Sequence, residues 1–158
     1  MIFVTLGSQK FQFNRLLKEV DRLVEEGSIN EEVFAQIGYS DYKPKNYNYK
    51  EFLDRKAFAE VMSKCDKVIT HGGTGAIINA VKNNKKVIAI PRLKEFNEHV
   101  DNHQIEIVKQ FSEMQIIKSA EDIKKLGTLI NKIDNTQLQS YISNTNEIIN
   151  SINEFLSI

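Results

Sequence analysis

Lys67-Val68-Ile69-Thr70-His71-Gly72-Gly73-Thr74-Gly75-Ala76-Ile77-Ile78-Asn79, followed by Lys86-Val87-Ile88-Ala89-Ile90-Pro91, is the stretch on which the fold turns. The apolar run 67–70 reads as a buried strand, His71–Gly75 as a turn, Ala76–Asn83 as the start of a helix, and 86–90 as a second strand stopped by Pro91. Strand, glycine turn, helix and strand within about 30 residues make a right-handed βαβ unit, which implies a parallel sheet.

The pattern extends in both directions. Upstream, residues 1–6 form a β-prone run ended by Gly7-Ser8-Gln9, and Phe13, Leu16, Leu17, Val20, Leu23 and Val24 recur at helical spacing up to Gly27. Glu32–Gly38 reads as a short strand, the tyrosine-rich stretch Tyr39–Tyr49 with Pro44 as loop, and Asp54–Lys64 as a helix. Downstream, a loop over Arg92–Val100 leads to a helix near Asn102–Phe111 and a strand at Met114–Ile117. A helix over Ala120–Ile133 is opened by the capping-box pattern Ser119-Ala120-Glu121-Asp122. Beyond Asn135, Leu138, Ile142, Ile148, Ile149, Ile152, Phe155 and Leu156 are spaced as one more helix. The expectation is an α/β fold: a single Rossmann-like domain with a parallel sheet over 1–158, in which 136–158 is a C-terminal helix.

Composition bounds the function. At 158 residues, with 41% hydrophobic and 27% charged content, the chain suits one globular domain. Its 21 basic residues balance 21 acidic ones, so no global field draws it to nucleic acid or anionic lipid, and binding must come from a local site. The lone Cys65 fits a small core thiol in a reducing compartment. The opening Met-Ile-Phe-Val-Thr-Leu-Gly lacks a basic leader, and no stretch approaches the roughly 18 apolar residues of a spanning helix, so a cytoplasmic location is expected.

The glycine clusters sit at the carboxyl ends of expected strands, where open α/β sheets place ligands. A helix N-terminus offers unpaired N–H groups and partial positive charge, and glycine lets backbone approach phosphate oxygens closely. His71, Gly72, Gly73, Thr74 and Gly75 therefore read as a phosphate cradle. Gly7-Ser8-Gln9 reads equally as a second wall of that cradle or as a tight βα turn. Neither Gly-x-Gly-x-x-Gly nor Gly-Lys-Ser/Thr occurs, which disfavours hydride transfer and ATP hydrolysis. His71, His99 and His103 lack metal-ligand spacing.

The stretches 68–79 and 86–92, together with Glu98-His99-Val100-Asp101-Asn102-His103-Gln104-Ile105-Glu106, resemble the carboxy-terminal domain of family-28 glycosyltransferases, the MurG-like group of GT-B fold. Phe3-Val-Thr-Leu-Gly-Ser-Gln and Phe13-Asn-Arg-Leu-Leu match the start of that domain when it stands alone. The run Pro-Arg-x-x-x-x-x-Glu-His-x-x-x-His-Gln (91–104) is similar to the small subunits of bacterial capsular and exopolysaccharide transferases, which pair with a membrane-anchored second subunit. The chain is also similar to the catalytic subunit of a eukaryotic two-component N-acetylglucosaminyltransferase.

The resemblance implies a UDP-sugar as donor substrate, with no further cofactor and no metal. Its diphosphate would lie at Gly7-Ser8-Gln9 and Gly73-Thr74-Gly75, its uracil near Phe52 and Leu53, and its hexose at His103 and Gln104. Asn79 stands where MurG-like proteins carry a glutamate for the ribose hydroxyls. An inverting transfer needs a general base, and Glu98 or His99 would serve, although their position equally suits helix capping. A GT-B enzyme uses two Rossmann-like domains and this length builds one. The resemblance therefore implies a membrane-anchored acceptor-binding partner subunit, a lipid-linked acceptor, recruitment to the cytoplasmic face of the membrane, and no nucleic acid. The terminal Ile/Leu/Phe stripe would either dock that partner or cover its own core. The alternative role is a non-catalytic enhancer of a partner transferase.

Overall fold

The computed structural model describes residues 1–156. Residues 157 and 158 and the side chains of Ile148, Ser151 and Phe155 lie outside it, so two positions of the expected terminal stripe, Ile148 and Phe155, are outside the described residues. Six strands, β1 (Ile2–Thr5), β2 (Val33–Gln36), β3 (Asn48–Lys50), β4 (Lys67–His71), β5 (Lys86–Ile90) and β6 (Lys118–Ser119), pair in the order β3-β2-β1-β4-β5-β6. Every pairing is parallel, with Ile2 opposite both Val33 and Lys67, and Thr5 opposite both Gln36 and Thr70. This is the Rossmann strand order, in which the chain reverses direction across the sheet between β1 and β4.

Period-2 alternation sends successive β1 side chains to opposite layers. Ile2 and Val4 join Ile69, Ile88 and Ile90 beneath α1 (Asn14–Glu25) and α5 (Leu126–Ile133). Phe3 joins Val68, Val87 and Ala89 beneath α2 (Arg55–Lys64), α3 (Thr74–Lys82) and α4 (His103–Glu113). All these strand side chains are fully buried, which accounts for the nearly continuous apolar runs of the central strands.

Five boundaries differ from the sequence expectation; the first is the C-terminal helix expected over 136–158, which begins only at Thr145, as α6 (Thr145–Leu156), with residues 136–144 irregular. The tyrosine-rich stretch contributes β3, an edge strand whose Asn48 and Lys50 are exposed, so it carries no apolar run to betray it. The apolar Met114–Ile117 segment is not a strand. Gln115 has a φ of +58°, and Ile116 and Ile117 are buried as packing residues before the two-residue β6 begins opposite Ile88. The Ser119 capping box is not made; Asp122 caps a 3-10 turn at Ile123–Lys125, its Oδ1 accepting from Lys124 N at 3.0 Å, and α5 follows. Helix α3 starts at Thr74 rather than Ala76, because extended Gly73 already occupies the N-cap position.

The 39–50 segment is tied to the body by a carboxylate. Asp21 on α1 is buried and accepts from the Tyr42 hydroxyl and from the backbone N–H groups of Lys45 (3.0 Å) and Asn46 (2.8 Å). Burial opposes its charge, but these donors outweigh burial and hold the carboxyl below its usual range. A depressed carboxylate contributes stability above its unfolded-state pKa, and that stability is lost as pH falls through the folded value. Asp21→Asn should therefore lower stability by about 1–3 kcal/mol at neutral pH. The gap from the parent should narrow on acidification below the carboxylate range, as thermal melts across pH would show.

Candidate functional site

Two βα turns face each other at the switch point. The β1 turn is fixed from several sides: Leu6 O accepts from Arg92 Nη2 at 2.9 Å, and Gly7 O accepts from Gln36 Nε2 at 3.4 Å. Thr70 Oγ1 donates to Thr5 O at 2.9 Å, which clamps the ends of β1 and β4 together. Between the turns stands the His71 imidazole. A Cβ on Gly7, whose φ is +72°, would lie 2.7 Å from His71 Nε2, and one on Gly73 would lie 2.1 Å from His71 Cε1. Both glycines are thus required by the ring they enclose, quite apart from any ligand. From Gly73 onward α3 begins, and its first intrahelical donor is Ile77 N, which leaves the N–H groups of Thr74, Gly75 and Ala76 directed out of the helix end. Thr74 and Gly75 are exposed there, as are Ser8 and Gln9 on the opposite turn. The arrangement is chemically suited to an anion.

Its electrostatics agree. His71 is buried, and burial, aided by the charges of Arg92 and His99, pushes its pKa down to about 3. The ring is therefore neutral across the physiological range. Arg92 is fully buried beneath the β1 turn, 5.5 Å from the Phe13 ring centroid, with its Nε and Nη1 lacking partners among the described residues. Burial pulls its pKa down to about 10 while Glu98 pushes the other way, so it remains a cation.

Two expected site residues have other work. Glu98, one of the two expected bases, is 0% exposed. Both its oxygens are engaged by Arg15, through Nε and Nη2 at 2.9 Å each, and Oε2 also accepts from Leu93 N at 2.9 Å. A carboxylate held this way braces the 91–98 loop on α1 and cannot meet an acceptor hydroxyl. Gln104, expected at the hexose, is 5% exposed and turned inward. Its Oε1 accepts from Gly72 N at 2.9 Å and Arg92 N at 3.0 Å, and its Nε2 lies 3.4 Å from His71 Nδ1, so the amide binds the turn and not a sugar.

The remaining positions lie around this centre. His99, 18% exposed at its side chain, packs 4.8 Å from the Phe11 ring and places Nδ1 3.1 Å from Asp101 Oδ1. Asp101 also accepts from His103 N at 3.0 Å, and this bond, with the nearby histidine, keeps its carboxyl below the usual range against burial. His103 opens α4 with an exposed imidazole, 3.9 Å from Glu106. Phe52 is exposed with its edge on Tyr39 at 5.1 Å; Leu53 N is taken by Gln36 Oε1 at 3.1 Å. Asn79 is exposed on α3, its Oδ1 3.3 Å from Asn83 Nδ2. Sequence reasoning assigned no role to Gln36, Arg92 or Asp101. Gln36 had a signal, a polar residue closing an otherwise apolar strand.

Comparison with known proteins places this geometry in a class. The family model described as the glycosyltransferase family 28 C-terminal domain matches residues 1–157, and the chain belongs to that family. Over 85 residues the chain is 34% identical to the "UDP-N-acetylglucosamine transferase subunit ALG13" of Candida albicans; the match covers 54% of this chain and 27% of that relative, so the chain spans about a quarter of it. The solution structure of an ALG13 superposes with a TM-score of 0.59 at 18% identity, covering 96% of this chain and 93% of that one. Acinetobacter baumannii MurG superposes with a TM-score of 0.58 at 16% identity, covering 84% of this chain and 40% of MurG. The fold is that of the C-terminal half of GT-B glycosyltransferases.

The glycines separate by what surrounds them. Gly73→Ala drives a Cβ into His71 and should lower both thermal stability and anion affinity. At Gly75 an added methyl group would meet nothing within 4 Å, so Gly75→Ala should leave the melting temperature unchanged. Differential scanning calorimetry of the two variants checks the contrast.

Proposed function

We propose that this chain is the donor-binding, catalytic subunit of a two-part UDP-sugar glycosyltransferase. The observation that carries the reading is the pair of glycine turns closed around a neutral, buried His71 at the sheet's switch point, with a helix N-terminus and buried Arg92 on the same side. Transfer from a UDP-sugar leaves a diphosphate, and fixed N–H dipoles stabilise that developing charge without reorganisation. In this reading the diphosphate lies between Gly7-Ser8-Gln9 and Gly73-Thr74-Gly75, uracil stacks near exposed Phe52 beside Leu53, Asn79 faces the ribose, and His103 reaches the hexose. The Candida albicans relative, named a subunit of a UDP-N-acetylglucosamine transferase, supports both the donor class and a division of labour. The hexose would be of galactose or N-acetylglucosamine type, and the product a lipid-linked precursor of capsule or exopolysaccharide.

His99 is the general base in this proposal. Ionised Asp101 receives Nδ1–H and leaves Nε2 free to take the acceptor hydroxyl's proton as oxygen attacks the anomeric carbon and UDP departs. His99→Ala should reduce kcat by roughly 10²–10⁴-fold and leave UDP affinity, measured by calorimetry, intact. Absence of UDP binding to the folded chain would overturn the donor assignment.

The acceptor half would come from a partner anchored at the cytoplasmic membrane face; no described helix of this chain is long and apolar enough to cross a membrane. Its docking stripe is on α6 (Thr145–Leu156), where Ile149 (48%), Ile152 (51%) and Leu156 (74%) stand exposed rather than covering the sheet. Combining Ile149→Glu with Ile152→Glu should leave the melting temperature of the isolated chain unchanged and abolish activity reconstituted with the partner. Full activity of the chain alone on a lipid-linked acceptor would refute the two-part reading.

A further inference from the structure

The role of Gln104 follows from its three contacts. Its carboxamide has one acceptor atom and one donor atom, and two backbone N–H groups, of Gly72 and Arg92, converge on the same end at 2.9 and 3.0 Å. Both are donors, so that end must be the oxygen. The other end, 3.4 Å from His71 Nδ1, is then the NH₂ group, which can only donate. Nδ1 must accept, and in a neutral imidazole the single proton therefore sits on Nε2. Nε2 is the ring atom that a Gly7 Cβ would approach to 2.7 Å, and it has no hydrogen-bond partner among the described residues.

We infer that Gln104 is a positioning residue that locks His71 in its Nε2–H tautomer, turning a buried neutral imidazole into a fixed hydrogen-bond donor aimed between the two glycine turns. The donor role toward a diphosphate rests on the function proposed above; the tautomer does not. The charged and titratable groups around the ring favour the same state. Arg92, from the loop after β5, and His99, from the loop before α4, both oppose a second proton on His71. Glu98, whose charge acts on Arg92, is committed to Arg15. A neutral donor suits a leaving group: it stabilises charge by direction without trapping the product as an ion pair, and it takes no part in proton transfer.

The test begins with the unaltered protein. Long-range ¹⁵N–¹H correlation spectra of ¹⁵N-histidine-labelled chain distinguish the two neutral tautomers and the imidazolium. His71 should show a protonated Nε2 and unprotonated Nδ1 from pH 5 to 8; a protonated Nδ1 would overturn the inference. Saturating UDP should shift the Nε2–H signal while Nδ1 stays unprotonated. Bound UDP without that shift would overturn the donor role and leave the UDP site standing, whereas failure of UDP to bind would remove the donor role together with the site.

Variants separate the lock from simple packing. Gln104→Glu keeps size and both backbone bonds but presents an acceptor to Nδ1, so the proton should move to Nδ1 and the ring should become easier to protonate. Its UDP affinity relative to the parent should fall roughly tenfold or more at pH 8 and recover as acid restores a proton to Nε2. A constant ratio across pH in the folded variant would overturn the inference, since a purely structural amide predicts no such recovery.

Discussion

One imidazole holds the functional edge of this sheet together. His71 ends β4 with its ring against the backbone of Gly7 on one side and of Gly73 on the other, so the spacing of the two turns is set by the thickness of an aromatic ring. Any side chain on either glycine would overlap it. Close packing of this kind leaves few alternative arrangements, because interiors lack the free volume to absorb a methyl group. The carboxamide of Gln104 then ties the ring to the Gly72 turn and to the start of the Arg92 loop, making three segments distant in sequence into one unit.

Charge is distributed to the same end. Arg92 and Arg15 bring two guanidinium groups to the region; Glu98 pairs with Arg15, and Arg92 lies buried beneath the β1 turn. A buried ion pair is weak evidence for stability, since desolvation of both partners offsets most of their attraction. Its contribution here is geometric. Arg15 also donates to Pro91 O at 3.1 Å, and Gln12 donates to Phe96 O at 2.8 Å, so α1 and the segment leading into it hold the loop that carries His99 and Asp101. The cation at Arg92 complements the partial charge of the α3 N-terminus, and both favour negative charge at the same place.

Much of this was legible in the chain itself. The glycine turn at 71–75 and the flanking apolar runs define the βαβ unit because buried parallel strands need no alternation, and the helix that follows needs its small N-terminal residues. β3 was hidden, since an edge strand of Asn48-Tyr49-Lys50 is indistinguishable from loop without its partner Phe34-Ala35-Gln36. Ile116 and Ile117 misled in the opposite sense: their apolarity reports burial, while the ladder begins only at Lys118. At the site, the resemblance pointed to Gln104 and the need for a general base pointed to Glu98, but neither gave the orientation of the side chain. Orientation depends on Gly72 and Arg15, which lie 32 and 83 residues away in sequence.

The sheet closes at both margins in very short strands, three residues in β3 and two in β6. Unpaired strand margins invite another chain to add itself by backbone hydrogen bonding, and brevity is among the ways proteins discourage it. Here neither margin offers a long enough row of donors and acceptors to template an added strand. Assembly with another polypeptide is thereby steered away from sheet extension and toward helix surfaces and the loops at the carboxyl end. For the two-part assembly proposed above, this disfavours lateral self-association and leaves the carboxyl end of the sheet open to a second chain.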